Sequence, residues 1–327
     1  MKTLILTESE IKPLLQIEDV ITVVEQAFRA KSDGMVQMPP KPYLYFKKYE
    51  GDLRIMPAYL EDVDTAGVKI VNSHPLNPDQ GLPTVMAVIV LSDPKTGMPL
   101  GIFSGTRITA LRTAAASAIA AKYLSRKNSR IAAIIGTGAQ AESQLTGLCK
   151  VRKIEEVRVF DIIPGKSEEF AKKMKGELGI IVKPANSIKE SVEGCDILTT
   201  ITPVRKPIIK NEFVGEGMHI NAVGADAPGK QELEPEILTR ANIVVDDWDQ
   251  ASHGGEINIP LSKGIISKAS VLAEIGEIVS GTKEGRTGDN EITLFDSTGL
   301  AIQDVSTAYL VYNEAKRKGA GMGISLI

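Results

Sequence analysis

The sequence predicts an α/β protein in which a doubly wound parallel sheet accompanies a smaller α+β domain. From Ile131 onward, short apolar runs rich in β-branched residues alternate with helical patterns, which is typical of parallel strands covered on both faces. Before Ile131, a helix and several extended segments follow one another without that alternation. A chain of 327 residues, 43% of them hydrophobic, is long enough to bury the cores of two domains.

The first part of the chain is predicted to contain one helix, at residues 17–30, and several extended segments. These segments are expected at residues 53–57, 67–72, 85–91 and 100–103. The last two flank the turn-forming sequence Asp93-Pro-Lys-Thr-Gly97 and therefore predict a hairpin. An alanine-rich helix is expected at residues 109–124, where small side chains allow another backbone to approach, and we interpret it as the connection between the domains.

The alternating region is expected to hold seven strands joined by helices. The strands are predicted at residues 131–135, 157–161, 180–182, 197–201, 219–223, 243–245 and 292–295. A final helix at residues 303–316 is expected to return to the first domain and to be followed by a flexible glycine-rich tail at 319–323. The first domain is therefore predicted to cover residues 1–115, completed by 302–327, and the second to cover residues 116–301.

The sequence Ile131-Ala-Ala-Ile-Ile-Gly-Thr-Gly-Ala-Gln-Ala141 runs from an apolar strand directly into a glycine-rich turn. Gly136 permits the tight turn, Gly138 lets the backbone approach a pyrophosphate, and Ala141 lets the next helix pack closely on the strand. The N-terminus of that helix offers unpaired N–H groups and a partial positive charge to phosphates. Glycine turns also join strands to helices without any ligand, so the pattern alone leaves both interpretations open.

Asp161 decides in favour of a dinucleotide. It ends the second predicted strand, about 20 to 25 residues past the glycines, where an acid that binds the adenosine ribose belongs. The carboxylate would repel a 2′-phosphate, and the following Ile162 and Ile163 supply no cation to offset that repulsion. Lys166 lies nearby but is more simply a solvated helix residue. The combination predicts a Rossmann-type domain that binds NAD rather than NADP.

The composition indicates a small-molecule ligand. The net charge of −3 is nearly balanced and no basic block is present, so nothing favours binding to nucleic acid or to an anionic membrane. Because the chain shows no long apolar run and no signal-peptide pattern, we expect a cytoplasmic protein. The two cysteines, Cys149 and Cys195, are expected to be inert core thiols, and no metal site is expected because histidines and cysteines lack ligand spacing.

Asp226 is the first candidate for chemistry, because it follows an apolar strand and precedes a Gly-Lys turn. Ligands of open α/β sheets lie at the carboxyl ends of strands, so this carboxylate would face the nicotinamide ring and a substrate on it. A turn aspartate that bonds only its own backbone is an equal alternative. Ser297 and Thr298, which follow the last strand, either touch the cofactor or cap the next helix.

Lys69 and Arg112 are candidates for binding an anion. Lys69 sits inside an apolar strand, where a lysine is costly to bury unless it meets a negative charge, and burial would move its pKa toward a value useful for proton transfer. A solvent-facing position at Lys69 is the alternative. Arg112 falls in the first turns of the alanine-rich helix, where an anion would offset its conflict with the helix dipole. Arg107 competes for the same role.

Six motifs in order make the chain resemble the ornithine cyclodeaminase/mu-crystallin family, and most closely its archaeal-type alanine dehydrogenases. They are GVKIVNSHP, GLPTVMAVIVL, ALRTAAASAIAAKYL, IIGTGAQA, HINAVGADAPGKQEL and LFDSTGLAIQD. The resemblance covers nearly the whole chain. It implies a homodimer in which the first domain binds substrate and builds the dimer interface, while a Rossmann domain holds NAD.

The resemblance also implies roles for individual residues. Lys69 and Arg112 would gather the substrate carboxylate, and Asp226 would be the acid/base group, with Lys69 assisting. The positions that match cofactor contacts of the family are Thr84, Arg112, Gly136, Gly138, Ala139, Gln140, Asp161, Thr202, Ala222, Val223, Gly224, Lys230 and Ser297.

Arg54 indicates the kind of substrate. Ornithine cyclodeaminases resemble the chain around Arg54 but carry a glutamate there, which holds the distal ammonium of ornithine. An arginine would repel that ammonium by several kcal/mol at about 4 Å in a partly solvated site. We therefore expect Arg54 to contribute to binding a small neutral substrate, and we expect reversible NAD-dependent oxidative deamination of a small L-amino acid, L-alanine first. The alternatives are ornithine cyclodeamination, ketimine reduction and a non-catalytic mu-crystallin-like binding protein.

Overall fold

The computed structural model describes residues 2–326, which divide into two compact units. The first unit comprises residues 2–112 and 300–326, and the second comprises residues 113–299. The corresponding limits expected from the sequence were residues 115 and 301. The roles expected for the two domains stay a prediction.

The elements of the chain before residue 113 are seven strands, β1 to β7, and three α-helices, α1 to α3, the last of which continues into the second unit. The strands are Thr3–Leu6, Val36–Gln37, Tyr43–Phe46, Gly51–Leu60, Thr65–Ser73, Val85–Ser92 and Pro99–Ser104. The helices are Glu8–Ile11, Ile17–Ser32 and Thr106–Leu124, with 3₁₀ turns at Lys12–Leu14, Lys47–Tyr49 and Asn77–Gln80.

The second unit contributes strands β8 to β15 and helices α4 to α10. The strands are Ile131–Ile135, Glu156–Phe160, Ile181–Pro184, Ile197–Thr200, His219–Ala222, Ala241–Val245, Val271–Glu274 and Ile292–Asp296. The helices are Ala141–Val151, Lys166–Leu178, Ile188–Val192, Pro235–Leu238, Trp248–Gly254, Asn258–Ser262 and Ile275–Ser280, with 3₁₀ turns at Asn211–Phe213 and Lys268–Ser270. The chain then returns to the first unit through α11, Ala301–Lys318, and β16, Met322–Ile324.

The first unit is a sheet with helices on one face. Its strands run in the order β16-β1-β7-β6-β5-β4-β2, with β3 on β4, and only the β1–β7 pair is parallel. Alternate residues of β4, such as Met56, Ala58 and Leu60, are buried, as expected for a strand with one covered face. Helices α2 and α11 pack together, and α11 lies against β4, β5 and β6.

The second unit confirms the predicted fold class. All eight of its strands are parallel, in the order β10-β9-β8-β11-β12-β15-β13-β14. Apolar cores lie on both faces, which explains why β8 and β11 read as continuous apolar runs. The strand order reverses between β8 and β11, and ligands of such sheets bind at the carboxyl ends beside this switch point.

Three details differ from the sequence-based expectations. Strand β14 was not predicted, and it is only four residues long. Helix α3 begins at Thr106 rather than at residue 109, so Arg112 lies in its second turn, where the dipole acts more weakly. The predicted flexible tail at residues 319–323 is wrong, because Met322 to Ile324 pair antiparallel with β1 and extend the sheet.

Two further expectations concern the whole set of described residues. None of their helices combines the length with the apolar character that crossing a bilayer needs. The two thiols agree with inert core cysteines, since burial raises the pKa of Cys149 to about 11 and that of Cys195 to about 12.

Docking of β16 on β1 leaves no room for a side chain at Gly321, and this gives a test of the fold. Gly321 has φ +86°, and a side-chain carbon on it would lie 2.9 Å from the Ile5 carbonyl oxygen and 3.0 Å from Leu6 Cγ. Gly319 has a similar φ of +65° but no atom within 4 Å of that position. Both Gly→Ala variants adopt a left-handed backbone at a cost of about 1 kcal/mol, but only Gly321→Ala also displaces a strand. We expect Gly321→Ala to lower the free energy of unfolding by about 1 kcal/mol more than Gly319→Ala, measured by denaturant titration. Equal losses would contradict the docking of β16.

Candidate active site

A buried group of three charged residues, which we call the ion cluster, lies in the first unit. It consists of Lys69 on β5, Arg112 on α3 and Asp304 on α11. Lys69 Nζ lies 2.7 Å from Asp304 Oδ2, and Arg112 Nε lies 2.9 Å from Asp304 Oδ1. The Lys69 and Asp304 side chains are 1% and 0% exposed, so the lysine expected at either a buried or an exposed position is buried.

The sheet places Lys69 in the ion cluster by the alternation of its strands. Lys69 pairs in register with Met56 on β4 and Ile89 on β6, both of which are buried on the helix-covered face. Helix α11 packs against that face and brings Asp304 over the lysine. Of the two arginines left open by the sequence, Arg112 contacts Asp304, whereas the backbone amide of Arg107 donates to Glu8.

The ion cluster carries more positive than negative charge. One carboxylate faces two cations, so a further anion would be attracted to the group. Burial, and then the charge of Arg112, lower the pKa of Lys69 to about 7, and Asp304 opposes both effects. Lys41, which the sequence analysis overlooked, also lowers the pKa of Lys69.

Gln303 supports the arginine of the ion cluster. Its Oε1 accepts hydrogen bonds from Arg112 Nη1 at 2.8 Å and from the Leu300 amide at 3.3 Å. Gln303 is fully buried, and its Nε2 finds no hydrogen-bond partner among the described residues. Buried amide groups are ordinarily satisfied, so this donor is available to a bound molecule. Neither Gln303 nor Asp304 was among the predicted site residues, although both end the LFDSTGLAIQD motif, which was the available signal for them.

Arg54 lies on the same sheet face as Lys69 but already has a partner. Its guanidinium forms a bidentate pair with Asp52, at 3.0 and 3.1 Å, and lies over the Tyr43 ring. Asp52 neutralises part of the positive charge that would repel a distal ammonium. The expected substrate contact of Arg54 stays a prediction, and the charge argument for it is weaker than for a free arginine.

Most of the residues that the resemblance implies for the cofactor lie on what we call the nucleotide edge of the second unit, the carboxyl ends of β8, β9, β11, β12 and β15. The turn after β8 has the predicted form. Gly136 has φ +94°, and a side-chain carbon on it would lie 3.0 Å from the Ile201 carbonyl oxygen. A carbon on Gly138 would meet no atom within 4 Å, so its backbone faces open space where a pyrophosphate fits.

Asp161, at the end of β9, supports the glycine turn directly. Its Oδ2 accepts hydrogen bonds from the Thr137 amide at 2.8 Å and the Thr137 hydroxyl at 2.9 Å, and its Oδ1 accepts one from the Ile163 amide. Burial opposes ionisation, but these bonds and the charge of Lys166 bring the pKa of Asp161 below its ordinary value. Ile162 is 88% exposed beside this carboxylate. The acid is therefore ionised, as ribose binding requires.

The ends of β11 and β12 are held together by Glu232, which the sequence analysis did not single out. The fully buried Glu232 carboxylate accepts hydrogen bonds from Thr202 and from the Gly224 amide. Ala222 and Val223, which were also predicted to border the cofactor, are buried at the end of β12. Glu232 lies in the HINAVGADAPGKQEL motif, two residues after Lys230, and this was the available signal that it belongs to the site.

Asp226 and Lys230 form an ion pair just beyond β12. Lys230 Nζ lies 2.5 Å from Asp226 Oδ1, and the side chains are 19% and 34% exposed, respectively. The pair shows that Asp226 has a charged partner and is more than a turn residue bonded to its own backbone. The carboxylate is also partly exposed and is therefore accessible to a substrate, as a general base must be.

The remaining expected cofactor residues have different surroundings. Ser297 Oγ and Gln140 Oε1 are buried atoms without hydrogen-bond partners among the described residues, as expected for groups that meet a ligand. Ala139 lies between Gly138 and Gln140 in the turn after β8. Thr298 is instead held by Asp246, through its amide at 2.7 Å and its hydroxyl at 3.0 Å. Thr84 is exposed in the first unit, where its carbonyl accepts a hydrogen bond from the His74 amide.

No metal site accompanies these groups. Within residues 2–326, no three His, Cys, Asp or Glu side chains come together in a way that could hold a metal ion. His219 is buried between Thr293 and Asn221, and burial lowers its pKa to about 3, which agrees with a structural role.

Comparison with known proteins gives matches along the whole chain. The model of the ornithine cyclodeaminase/mu-crystallin family matches residues 1–319. An alanine dehydrogenase of Archaeoglobus fulgidus is 52% identical over 325 residues, which are 99% of this chain and 98% of that protein. A solved archaeal alanine dehydrogenase dimer with bound NAD is 51% identical, with a TM-score of 0.96 and complete coverage of both chains.

A second solved structure shows how far the likeness extends. The Δ1-pyrroline-2-carboxylate reductase of Thermococcus litoralis, in complex with NADH and L-proline, is 42% identical, with a TM-score of 0.96 and coverage of 98% of this chain and 100% of that one. Enzymes with different substrates therefore share this fold and much of this sequence. With a family model matching residues 1–319 and these relatives covering both chains almost completely, the chain belongs to the ornithine cyclodeaminase/mu-crystallin family.

Proposed function

We propose that this chain is an NAD-dependent dehydrogenase that reversibly converts a small L-amino acid, L-alanine first, to its 2-oxo acid and ammonia. The observation that carries the proposal is 52% identity to an alanine dehydrogenase over 99% of the chain. The ion cluster and the nucleotide edge supply the groups that such a reaction needs. The same proposal covers Arg54, which stands where the resemblance implies a glutamate in the ornithine cyclodeaminases and so favours a substrate without a distal ammonium.

The ion cluster is assigned to the substrate carboxylate. Lys69 and Arg112 share a single counter-ion, Asp304, so a carboxylate from the substrate completes the charge balance of the group. The planar guanidinium of Arg112 suits bidentate contact with a carboxylate, and Gln303 holds it in orientation through Nη1. A fixed carboxylate in turn orients the α-carbon for hydride removal.

Asp226 is assigned the proton transfers. In the oxidative direction it takes a proton from the substrate ammonium group, which leaves a free amine whose α-carbon can lose its hydride, and it then releases that proton to solvent. It next takes a proton from the water that attacks the resulting iminium and returns it to the nitrogen that leaves as ammonia. Lys230 holds Asp226 through their ion pair, and Lys69, whose pKa lies near neutrality, assists by polarising the substrate carboxylate.

NAD is assigned to the nucleotide edge, where it supplies the hydride acceptor. The open space at Gly138, the ionised Asp161 and the unpartnered Gln140 and Ser297 fit a dinucleotide. Asp161 favours NAD over NADP because its charge would repel a 2′-phosphate.

A homodimer is part of the proposal. The archaeal alanine dehydrogenase at 51% identity is a dimer, and the first unit leaves an apolar sheet face that a partner would cover. Met86 and Val88, on one face of β6, are 37% and 45% exposed. Light scattering during size-exclusion chromatography would give twice the 35.2 kDa chain mass, and a monomeric mass would contradict this part of the proposal.

Reduction of a cyclic imine is the second candidate function. It is favoured by the reductase from Thermococcus litoralis, which was solved with L-proline and is 42% identical to this chain. In that reaction the same carboxylate and hydride chemistry would act on Δ1-pyrroline-2-carboxylate, and no ammonia would be released.

Assays with three substrates separate these functions. We expect NADH oxidation with pyruvate plus ammonia, with L-alanine as the product, and a lower kcat/KM with Δ1-pyrroline-2-carboxylate. L-ornithine should give no proline, since Arg54 occupies the place of the ammonium-binding glutamate. Faster reduction of the cyclic imine would replace the first candidate by the second. Proline formed from ornithine without net NADH turnover would contradict both.

Asp226→Asn tests the proton-transfer assignment. An amide cannot accept the substrate proton, so we expect kcat for L-alanine to fall by a factor of about 10² to 10⁴, while NADH still binds. Asp249→Asn, a change of the same chemistry at an exposed position of the second unit, serves as the control and should keep wild-type kcat. Unchanged kcat in Asp226→Asn would remove Asp226 from the mechanism.

The pKa of Lys69 near 7 predicts how pyruvate binding depends on pH. Below that pKa the lysine is charged and attracts the pyruvate carboxylate; above it the lysine is neutral, so the KM for pyruvate should rise as pH increases from about 6 to about 9. Arg112, Asp304 and Lys41 are the charged groups acting on Lys69. The measurement is the KM for pyruvate at saturating ammonia and NADH.

Lys69→Gln is the matched variant, because it is uncharged at every pH. We expect its KM for pyruvate to be high and flat, meeting the wild-type curve at high pH. A wild-type KM that stays constant, or the same slope in Lys69→Gln, would show that another group controls pyruvate binding.

A further inference from the structure

Glu232 accepts four hydrogen bonds through one buried carboxylate. Its Oε2 accepts from Thr200 Oγ1 at 2.7 Å and from the Gly224 amide at 2.9 Å. Its Oε1 accepts from the Thr202 amide at 2.7 Å and the Thr202 hydroxyl at 2.6 Å. All four partners donate, so a carboxylate satisfies them and a neutral amide of the same shape would not.

The donors belong to two neighbouring strands at the nucleotide edge. Thr200 ends β11 and Thr202 follows it, while Gly224 follows β12. The two backbones approach so closely that a side-chain carbon on Gly224 would overlap both the Thr202 carbonyl oxygen and the Glu232 carboxyl group. Glu232 therefore joins the loop after β11 to the loop after β12. If either loop shifted, a hydrogen bond to the Glu232 carboxylate would be lost.

The order of the strands shows which half of a dinucleotide this place would meet. The glycine turn and Asp161 follow β8 and β9, on one side of the switch point, and there they fit the pyrophosphate and the adenosine ribose. Strands β11 and β12 lie on the other side of β8. A dinucleotide crossing the switch point thus places its nicotinamide half over Thr202 and Gly224.

Glu256 holds the backbone at Glu232 through hydrogen bonds. Its carboxylate accepts hydrogen bonds from the Glu232 amide at 3.0 Å and from the Leu233 amide at 2.7 Å. Burial, and then the neighbouring Glu232 carboxylate, raise the pKa of Glu256 well above its usual value. Glu256 therefore fixes the backbone of Glu232. Among the described residues its carboxylate accepts hydrogen bonds from the Glu232 and Leu233 amides rather than from Thr202 or Gly224, and this makes it a useful control.

We infer that Glu232 is a positioning residue for the nicotinamide half of the cofactor, acting through Thr202 and Gly224 without contributing to the adenosine half. The inference rests on the proposed function, because it requires NAD at the nucleotide edge. It separates two groups of residues within one binding site: the glycine turn with Asp161, which hold ADP-ribose, and the Glu232 carboxylate, which shapes the wall for the nicotinamide ring.

Two ligands that differ by the nicotinamide ring test the inference. Dissociation constants of NADH and ADP-ribose are measured by titration calorimetry for the wild type, Glu232→Gln and Glu256→Gln. We expect Glu232→Gln to weaken NADH by about tenfold, the effect of one lost charge-assisted hydrogen bond, and to leave ADP-ribose unchanged. Glu256→Gln keeps an amide oxygen for both backbone donors and should bind both ligands like the wild type.

Failure of this inference can be distinguished from failure of the proposed function. Equal weakening of both ligands in Glu232→Gln would indicate general damage to the unit and overturn the inference, as would unchanged binding of both. Failure of the wild type to bind either ligand would overturn the proposed function and the inference with it.

Thr200→Val covers the case in which Glu232→Gln does not fold. It keeps the size of the side chain, removes one donor from Glu232 and leaves Thr202 and Gly224 unaltered. The same selective loss for NADH, smaller in size, supports the inference. Where Glu232→Gln does not fold, wild-type affinity for NADH in Thr200→Val contradicts it.

Discussion

The Asp304 carboxylate is the constraint on which the first unit depends. It is fully buried on α11 and compensates two cations, Lys69 on β5 and Arg112 on α3. A buried charge without a partner costs several kcal/mol, so neither cation could occupy its position if α11 were displaced. The sheet, the connecting helix and the last helix are thus held in one arrangement by a single acid. The excess positive charge left over is what makes the group suitable for binding an anion.

The nucleotide edge could be predicted from the sequence to a large extent, because its determinants are local. The turn at Gly136 and Gly138 and the acid after β9 lie within one strand-turn-helix-strand segment, whose spacing follows from the geometry of parallel strands. The structure adds that Asp161 accepts two hydrogen bonds from Thr137 in the glycine turn. The acid after β9 and the turn after β8, which are separate in the sequence, are therefore in direct contact. Asp161 Oδ2 supports the turn while Oδ1 accepts the Ile163 amide and keeps acceptor capacity for a ribose hydroxyl.

The partners that hold the site in place could not be predicted, because they are distant in the chain and chemically ordinary. Asp304 and Gln303 reach Arg112 across nearly 200 residues, and Glu232 joins strands whose pairing is set by topology rather than by local pattern. The flexible tail was predicted from glycine content alone, although those glycines allow β16 to approach β1. Glycine content indicates which backbone conformations a segment can adopt. Pairing with the edge strand β1 determines which of them this segment adopts.

The discontinuity of the first unit has a consequence for how the chain folds during synthesis. The ribosome makes α11 and β16 only after all of the second unit, so the second unit can reach its final topology while the first still lacks a helix and an edge strand. Until α11 arrives, Lys69 and Arg112 have no Asp304, and the apolar face of β4 and β5 has no cover. During synthesis this face therefore stays accessible to other molecules until α11 emerges, and the complete ion cluster can form only after that.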